Sequence, residues 1–206
     1  MAAIIFDFDG TIADSFDYVA GFLATEAGLS SLSVDQKRDL RGLSMVAMAR
    51  RLGHGWWRLP WLLFKGRRQM GDVINQLQAF SGIAAIIEKL HAEGHELFIV
   101  SSNSVRNVRT FLRHHKLQTY FLEVYGGVGM FNKAPALRRL LKEHHLKADE
   151  SVYIGDELRD VEAAQSIKLP VIAVTWGFAR RSDLADKTPL ALATTPADLI
   201  RILEDR

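Results

Sequence analysis

Ala3-Ile4-Ile5-Phe6-Asp7-Phe8-Asp9-Gly10-Thr11 decides how this chain reads: an apolar run of single-strand length stops abruptly on two carboxylates, a glycine and a hydroxyl. On extended backbone, residues two apart point to the same side, so the Asp7 and Asp9 carboxylates can face one site where the strand ends. One such acid can attack as a nucleophile or bind a divalent cation, while the other exchanges protons with a leaving group. Gly10 permits a sharp turn that brings backbone N–H groups close to an anion, and the Thr11 hydroxyl can orient a carboxylate. A plain turn closed by an Asx-type hydrogen bond would use the same residues. The rest of the chain has to decide between the two.

Outward from this stretch, apolar runs at 97–100, 121–125, 152–155 and 171–175 repeat the strand pattern, with helix-period segments near 83–93, 104–115, 134–145 and 158–167 between them. The alternation predicts an α/β fold with a Rossmann-like, mostly parallel sheet and helices on both faces, whose ligands gather outside the carboxyl ends of the strands. From about 15 to 80 the alternation breaks. Helical patterns follow one another there without a convincing strand, which predicts an all-helical insert. Ser33 and Ser44 read as N-caps, Gly28, Gly42 and Gly53 as helix ends, Pro60 as the first turn of a longer helix running towards Gln78, and Gly82 as the return to the core.

Composition removes several classes. The 206 residues are 48% hydrophobic, 24% charged and 9% aromatic, which excludes disordered and fibrous chains. A chain of this length can bury roughly 70% of its unfolded surface. It contains no cysteine, so disulfides, thiolate zinc sites and cysteine nucleophiles are out, and any metal must be held by oxygen or histidine. A formal charge of +2 gives no reason to expect nucleic acid as a partner. Neither an apolar stretch of about 18 residues nor an export signal is present, so we expect no membrane partner and a cytoplasmic location.

The other strand ends also carry chemistry. Ser101, Ser102 and Asn103 offer hydroxyls and N–H groups ahead of a helix, which suits a phosphate; an N-cap for the helix near Ser104 is the alternative. Lys133 precedes Ala134-Pro135, where a helix can open, so its ammonium can project from the loop. Gly155-Asp156-Glu157-Leu158-Arg159-Asp160 places three acids at a strand end, a set suited to a hard cation such as Mg²⁺ or, alternatively, to an acidic helix N-terminus.

With these motifs in this order, the chain resembles the haloacid dehalogenase superfamily of phosphohydrolases. The resemblance covers the whole chain, with 1–14 and 81–206 as the Rossmann-like catalytic core and 15–80 as the inserted helical cap. The tail Val174-Thr175-Trp176-Gly177-Phe178 is similar to that of phosphoglycolate-phosphatase-like members. The resemblance implies that Asp7 is the nucleophile, forming an aspartyl-phosphate, and that Asp9 protonates the leaving alkoxide and then activates water. Gly10, Thr11, Ser101 with Ser102 as its substitute, Asn103 and Lys133 would line the substrate's phosphate. Mg²⁺ would be held by Asp7, the Asp9 carbonyl and Asp156, with Asp160 assisting and Glu157 within reach of the metal shell. The expected partner is a small phosphorylated metabolite, with 2-phosphoglycolate as the candidate, and the expected state is a monomer or homodimer. An acid at Asp9 favours phosphoryl chemistry over dehalogenation, since halide leaves without a proton. A sugar-phosphate mutase would share these core motifs, and a non-catalytic phosphate-binding or partner-binding protein is the remaining alternative; binding alone, however, needs no second acid. Electrostatics agree that cations are required, because bringing a carboxylate to a phosphate dianion costs on the order of 4 kcal/mol per unit pair at about 4 Å and an effective dielectric near 20.

Three further groups invite a reading. Trp56, Trp57, Trp61 and Phe64, among Leu59, Leu62 and Leu63, read as the core of the cap, with a lid lining or dimer patch as the alternative. Arg50, Arg51, Arg58, Lys65, Arg67 and Arg68 read as a solvated basic face, with an acidic substrate tail as the second possibility. His114-His115 and His144-His145 are adjacent on helical segments and so do not face one another; we assign them no chemistry.

Overall fold

The computed structural model of the chain describes residues 3–129 and 133–205. Six strands, β1 (Ala3–Phe6), β2 (Glu96–Val100), β3 (Phe121–Tyr125), β4 (Ser151–Gly155), β5 (Val171–Val174) and β6 (Ala191–Ala193), form one sheet in the order β3-β2-β1-β4-β5-β6. Every pairing is parallel. Strand β1 lies inside the sheet, with Ile5 opposite Phe98 on one side and Tyr153 on the other. Its Ile4 and Phe6 point into one apolar cluster and Ile5 into the other, which is why its sequence is apolar at every position rather than at alternate ones.

The chain steps from β1 outward to β2 and β3, then crosses back to β4 on the other side of β1. That reversal is the topological switch point, where ligands of open α/β sheets bind. Asp7, Ser101 and Asp156 are each the first residue after β1, β2 and β4, so strand order alone brings them to one edge.

Between β1 and β2 run five α-helices, of which the first four form the insert: α1 (Phe16–Glu26), α2 (Val34–Leu40), α3 (Met45–Arg51) and α4 (Leu59–Val73). Ser33 caps α2 with a reciprocal bond to Gln36, Ser44 caps α3, and Pro60 sits in the first turn of α4. Gly28, Gly42 and Gly53 carry positive φ where α1, α2 and α3 end. The two segments joining these helices to the sheet pair with each other: Asp14 N–H donates to Gln78 O at 2.9 Å and Phe80 N–H to Ile12 O at 3.0 Å. After this neck come α5 (Ile83–Ala92), α6 (Val105–His114), α7 (Ala134–Glu143), α8 (Leu158–Gln165), α9 (Arg181–Asp186) and α10 (Pro196–Glu204).

The aromatic cluster is a correction to the sequence reading. Trp56, Trp57, Trp61 and Phe64 are exposed, the first two by about 70%. Helix α4 buries Leu59, Leu62 and Met70 instead, and that choice of face turns Trp61 and Phe64 outward. Arg58 and Lys65 lie over the Trp61 ring, covering part of the exposed surface with their stems.

Candidate active site

Asp7 leaves β1 fully inside the protein. Its Oδ1 accepts the Phe8 N–H at 2.7 Å and faces the Lys133 ammonium, also at 2.7 Å. Lys133, at the start of α7, is buried, and its Nζ reaches Asp160 Oδ1 at 2.8 Å and the Tyr153 hydroxyl at 3.0 Å. Burial alone would weaken the lysine's hold on its proton, but Asp160 and Asp7 outweigh it and keep the ammonium above its ordinary value. Burial likewise raises Asp160, yet Lys133 and Arg159 dominate and leave its carboxyl below the usual range. For Asp7 burial wins: the carboxyl is pushed up to about 7, with Lys133 pulling the other way and Asp160 adding to the rise.

Asp156, the first residue after β4, completes the group. Thr11 Oγ1 donates to its Oδ1 at 2.9 Å and the Phe178 N–H to its Oδ2 at 2.7 Å. A Cβ at Gly10, where φ is +81°, or at Gly177 would collide with this carboxylate, so both glycines let backbone close around it. Burial and then the negative neighbours Asp7, Glu157 and Asp160 drive the Asp156 carboxyl far above its ordinary value. Asp7, Asp156 and Asp160 each offer a carboxylate oxygen within 4.8 Å of the others. Three buried carboxylates beside Lys133 form a donor set that fits a hard divalent cation, which takes oxygen ligands and would relieve the repulsion centred on Asp156.

Asp9 turns elsewhere. Its Oδ2 accepts from Asn103 Nδ2 at 3.1 Å, while Oδ1 is sealed from solvent without a hydrogen-bond partner among the described residues. Burial raises its carboxyl, which favours the proton-carrying form a general acid requires. Ser101 is buried and its Oγ accepts the Asn103 N–H at 2.9 Å, leaving the hydroxyl proton to donate elsewhere. Ser102 is half-buried and lines the cavity beside Asp9. Glu157 lies outside the three-carboxylate group and pairs through Oε1 with Arg159.

Sequence reasoning missed two residues here. Tyr153 lies within the apolar run of β4, where a phenol buried on both faces of the sheet must find its hydroxyl a partner; it does so by donating to Asp160 at 3.3 Å. Asn107, on α6, is buried and donates to Asn103 Oδ1 at 3.0 Å and to Arg67 O on α4 at 2.8 Å, tying the helical insert to the sheet. A polar residue on the inner face of α6 was the available signal. The histidines take structural partners: His115 Nε2 meets Leu77 O, and His144 Nε2 meets Glu123.

Residues 4–174 match the sequence model of the family described as haloacid dehalogenase-like hydrolase. The chain is 37% identical over 204 residues to a phosphoglycolate phosphatase of Synechococcus elongatus, covering 98% of this chain and 96% of that protein. It is 27% identical to a phosphoglycolate phosphatase of Vibrio parahaemolyticus, covering 97% and 95%. In fold it is similar to a haloacid dehalogenase-like family protein from Streptococcus pneumoniae, with a TM-score of 0.81, 22% identity and 98% of each chain covered.

Proposed function

The chain belongs to the haloacid dehalogenase-like hydrolases and is a phosphoric monoester hydrolase, and from that premise we propose that it cleaves 2-phosphoglycolate with Mg²⁺ as cofactor, through an aspartyl-phosphate on Asp7. The observation that carries the reading is the group at the switch point: a buried carboxylate, Asp7, beside the Lys133 ammonium and a second carboxylate, Asp156, with a raised acid, Asp9, two residues along the chain. The name of the relative 37% identical over nearly its whole length supports the choice of substrate. Residues 1–14 and 81–206 act as the catalytic core and 15–80 as the cap that sets specificity.

Asp7 attacks phosphorus, and the bond to the leaving oxygen breaks as the Asp9 carboxyl gives that oxygen its proton. Asp9, now a carboxylate, takes a proton from the water that attacks the acyl phosphate, which releases phosphate and restores both acids. Lys133, Ser101 and the N–H groups around Gly10 hold the phosphoryl oxygens, and Thr11 and Asn103 act one step back, orienting Asp156 and Asp9. Asp7, the Asp9 carbonyl and Asp156 would hold Mg²⁺, whose charge offsets the repulsion between a carboxylate and a phosphate dianion.

The test is to trap the intermediate. Acid-quenched protein mixed with substrate radiolabelled at phosphorus should carry label on the Asp7 peptide, and Asp9→Asn, which keeps the nucleophile but lacks the acid and base, should turn over far more slowly. Turnover without label on Asp7 in either protein would rule this route out.

A further inference from the structure

The chemistry above leaves the cap's Arg67 without a task. Between α1, α4 and the strand ends lies a cavity of about 60 Å³, and Asp9, the acid that faces the leaving group, forms part of its wall. The other walls are mostly apolar, including Phe22, Leu62 and Met70. Two guanidiniums also belong to it, those of Arg67 and Arg159. Arg159 is bound to Glu157, whereas Arg67 is half-buried and has no ion-pair partner among the described residues. Burial lowers the Arg67 guanidinium, Asp9 raises it and Arg159 lowers it again, so the side chain feels both groups across the cavity. Its backbone carbonyl is held by Asn107 of the core, so its position is set whenever cap and core meet as they do here.

Resting on the phosphatase reading, we propose that Arg67, with Arg159 beside it, is the subsite for the substrate's carboxylate and selects short phosphorylated carboxylic acids over uncharged phosphomonoesters. Charge supports it. Arg159 is already matched by Glu157, which leaves Arg67 as the cavity's cation that an incoming carboxylate can meet. A half-buried unpaired cation pays a desolvation penalty that a bidentate anion removes. Size supports it as well: about 60 Å³ accommodates on the order of five water-sized groups, which matches the glycolyl group.

The test compares 2-phosphoglycolate with ethyl phosphate, which keeps the two-carbon chain and lacks the carboxylate. Wild type should prefer 2-phosphoglycolate, and the ratio of the two kcat/KM values should fall about 100-fold in Arg67→Met, with partial recovery in Arg67→Lys. Cap damage alone would lower both substrates together, so an unchanged ratio would overturn the proposal while leaving the phosphatase reading intact. Calorimetry on Asp7→Asn supplies a readout apart from turnover: 2-phosphoglycolate should bind more tightly than ethyl phosphate, and adding Arg67→Met should abolish the difference. Equal binding of the two esters would overturn the subsite even if neither is hydrolysed; clear preference without hydrolysis would keep the subsite and discard the phosphatase reading instead.

Discussion

Lys133 is a charge that the fold cannot lose cheaply, since it is buried between Asp7 and Asp160 and touches both. Lys133→Met should cost about 3–5 kcal/mol in urea unfolding, because it strands two carboxylates without their shared cation. A loss below about 1 kcal/mol would show that these acids are not ionised together. Asp7 gives a pH signature of the opposite kind from most acids. Its folded carboxyl stands at about 7 and its unfolded one near 3.9, so the native state binds more protons between those values and stability falls as pH rises through them. In chelator we expect that decline from about pH 4 to 7, smaller in Asp7→Asn, where the other raised acids Asp9 and Asp156 remain, and suppressed by added Mg²⁺; stability that rises over this range would contradict the shift. At this scale Asp7, Ser101 and Asp156 were legible because each ends an apolar run, and Lys133 because a helix-opening Pro135 follows it. Tyr153 was hidden, since its role depends on Lys133 and Asp160 arriving from other elements.

Among the elements, five strands announced themselves as apolar runs, while β6 did not: Ala191–Ala193 is too short and too small in side chain to stand out from the loops around it. The helix that follows it carries a strong local signal. Thr195 caps α10, and Asp198 accepts from the Thr194 hydroxyl and from the Thr194 and Thr195 N–H groups, which together hold its carboxyl down to about 2. Because the folded value is depressed, this stabilisation is present above the unfolded value near 3.9 and fades as pH falls through about 2. Asp198→Ala should therefore lose about 1 kcal/mol at neutral pH and much less near pH 2, measured by thermal unfolding. A pH-independent loss would place the effect in packing instead. The loop after β5 carries a second prediction of this scale. Gly177→Ala pushes a methyl into the Asp156 carboxylate without any demand for positive φ, and should raise the Mg²⁺ concentration for half-maximal turnover about 10–100-fold. No change would mean that Asp156 does not hold the ion.

At the scale of the whole molecule, the parallel sheet and the helical run between β1 and β2 could be read from the change of period alone. What could not be read was which side of the inserted helices faces inward. The aromatic stretch from Trp56 to Phe64 looks like core by composition, yet the leucines of α4 fill that space and the rings stay in solvent. Trp56→Ser and Trp57→Ser should consequently shift stability by no more than about 0.5 kcal/mol; a loss of several kcal/mol would restore these rings to the core. The central claim joins all three scales, because strand order sets Asp7 beside Asp156 and Lys133 at the switch point and the helical insert packs against that edge. It is tested most directly by phosphate release from 2-phosphoglycolate, measured with Mg²⁺ and with chelator beside Asp7→Asn. We expect turnover that requires Mg²⁺ and disappears in the variant; release that survives chelation, or that Asp7→Asn retains, would contradict the account.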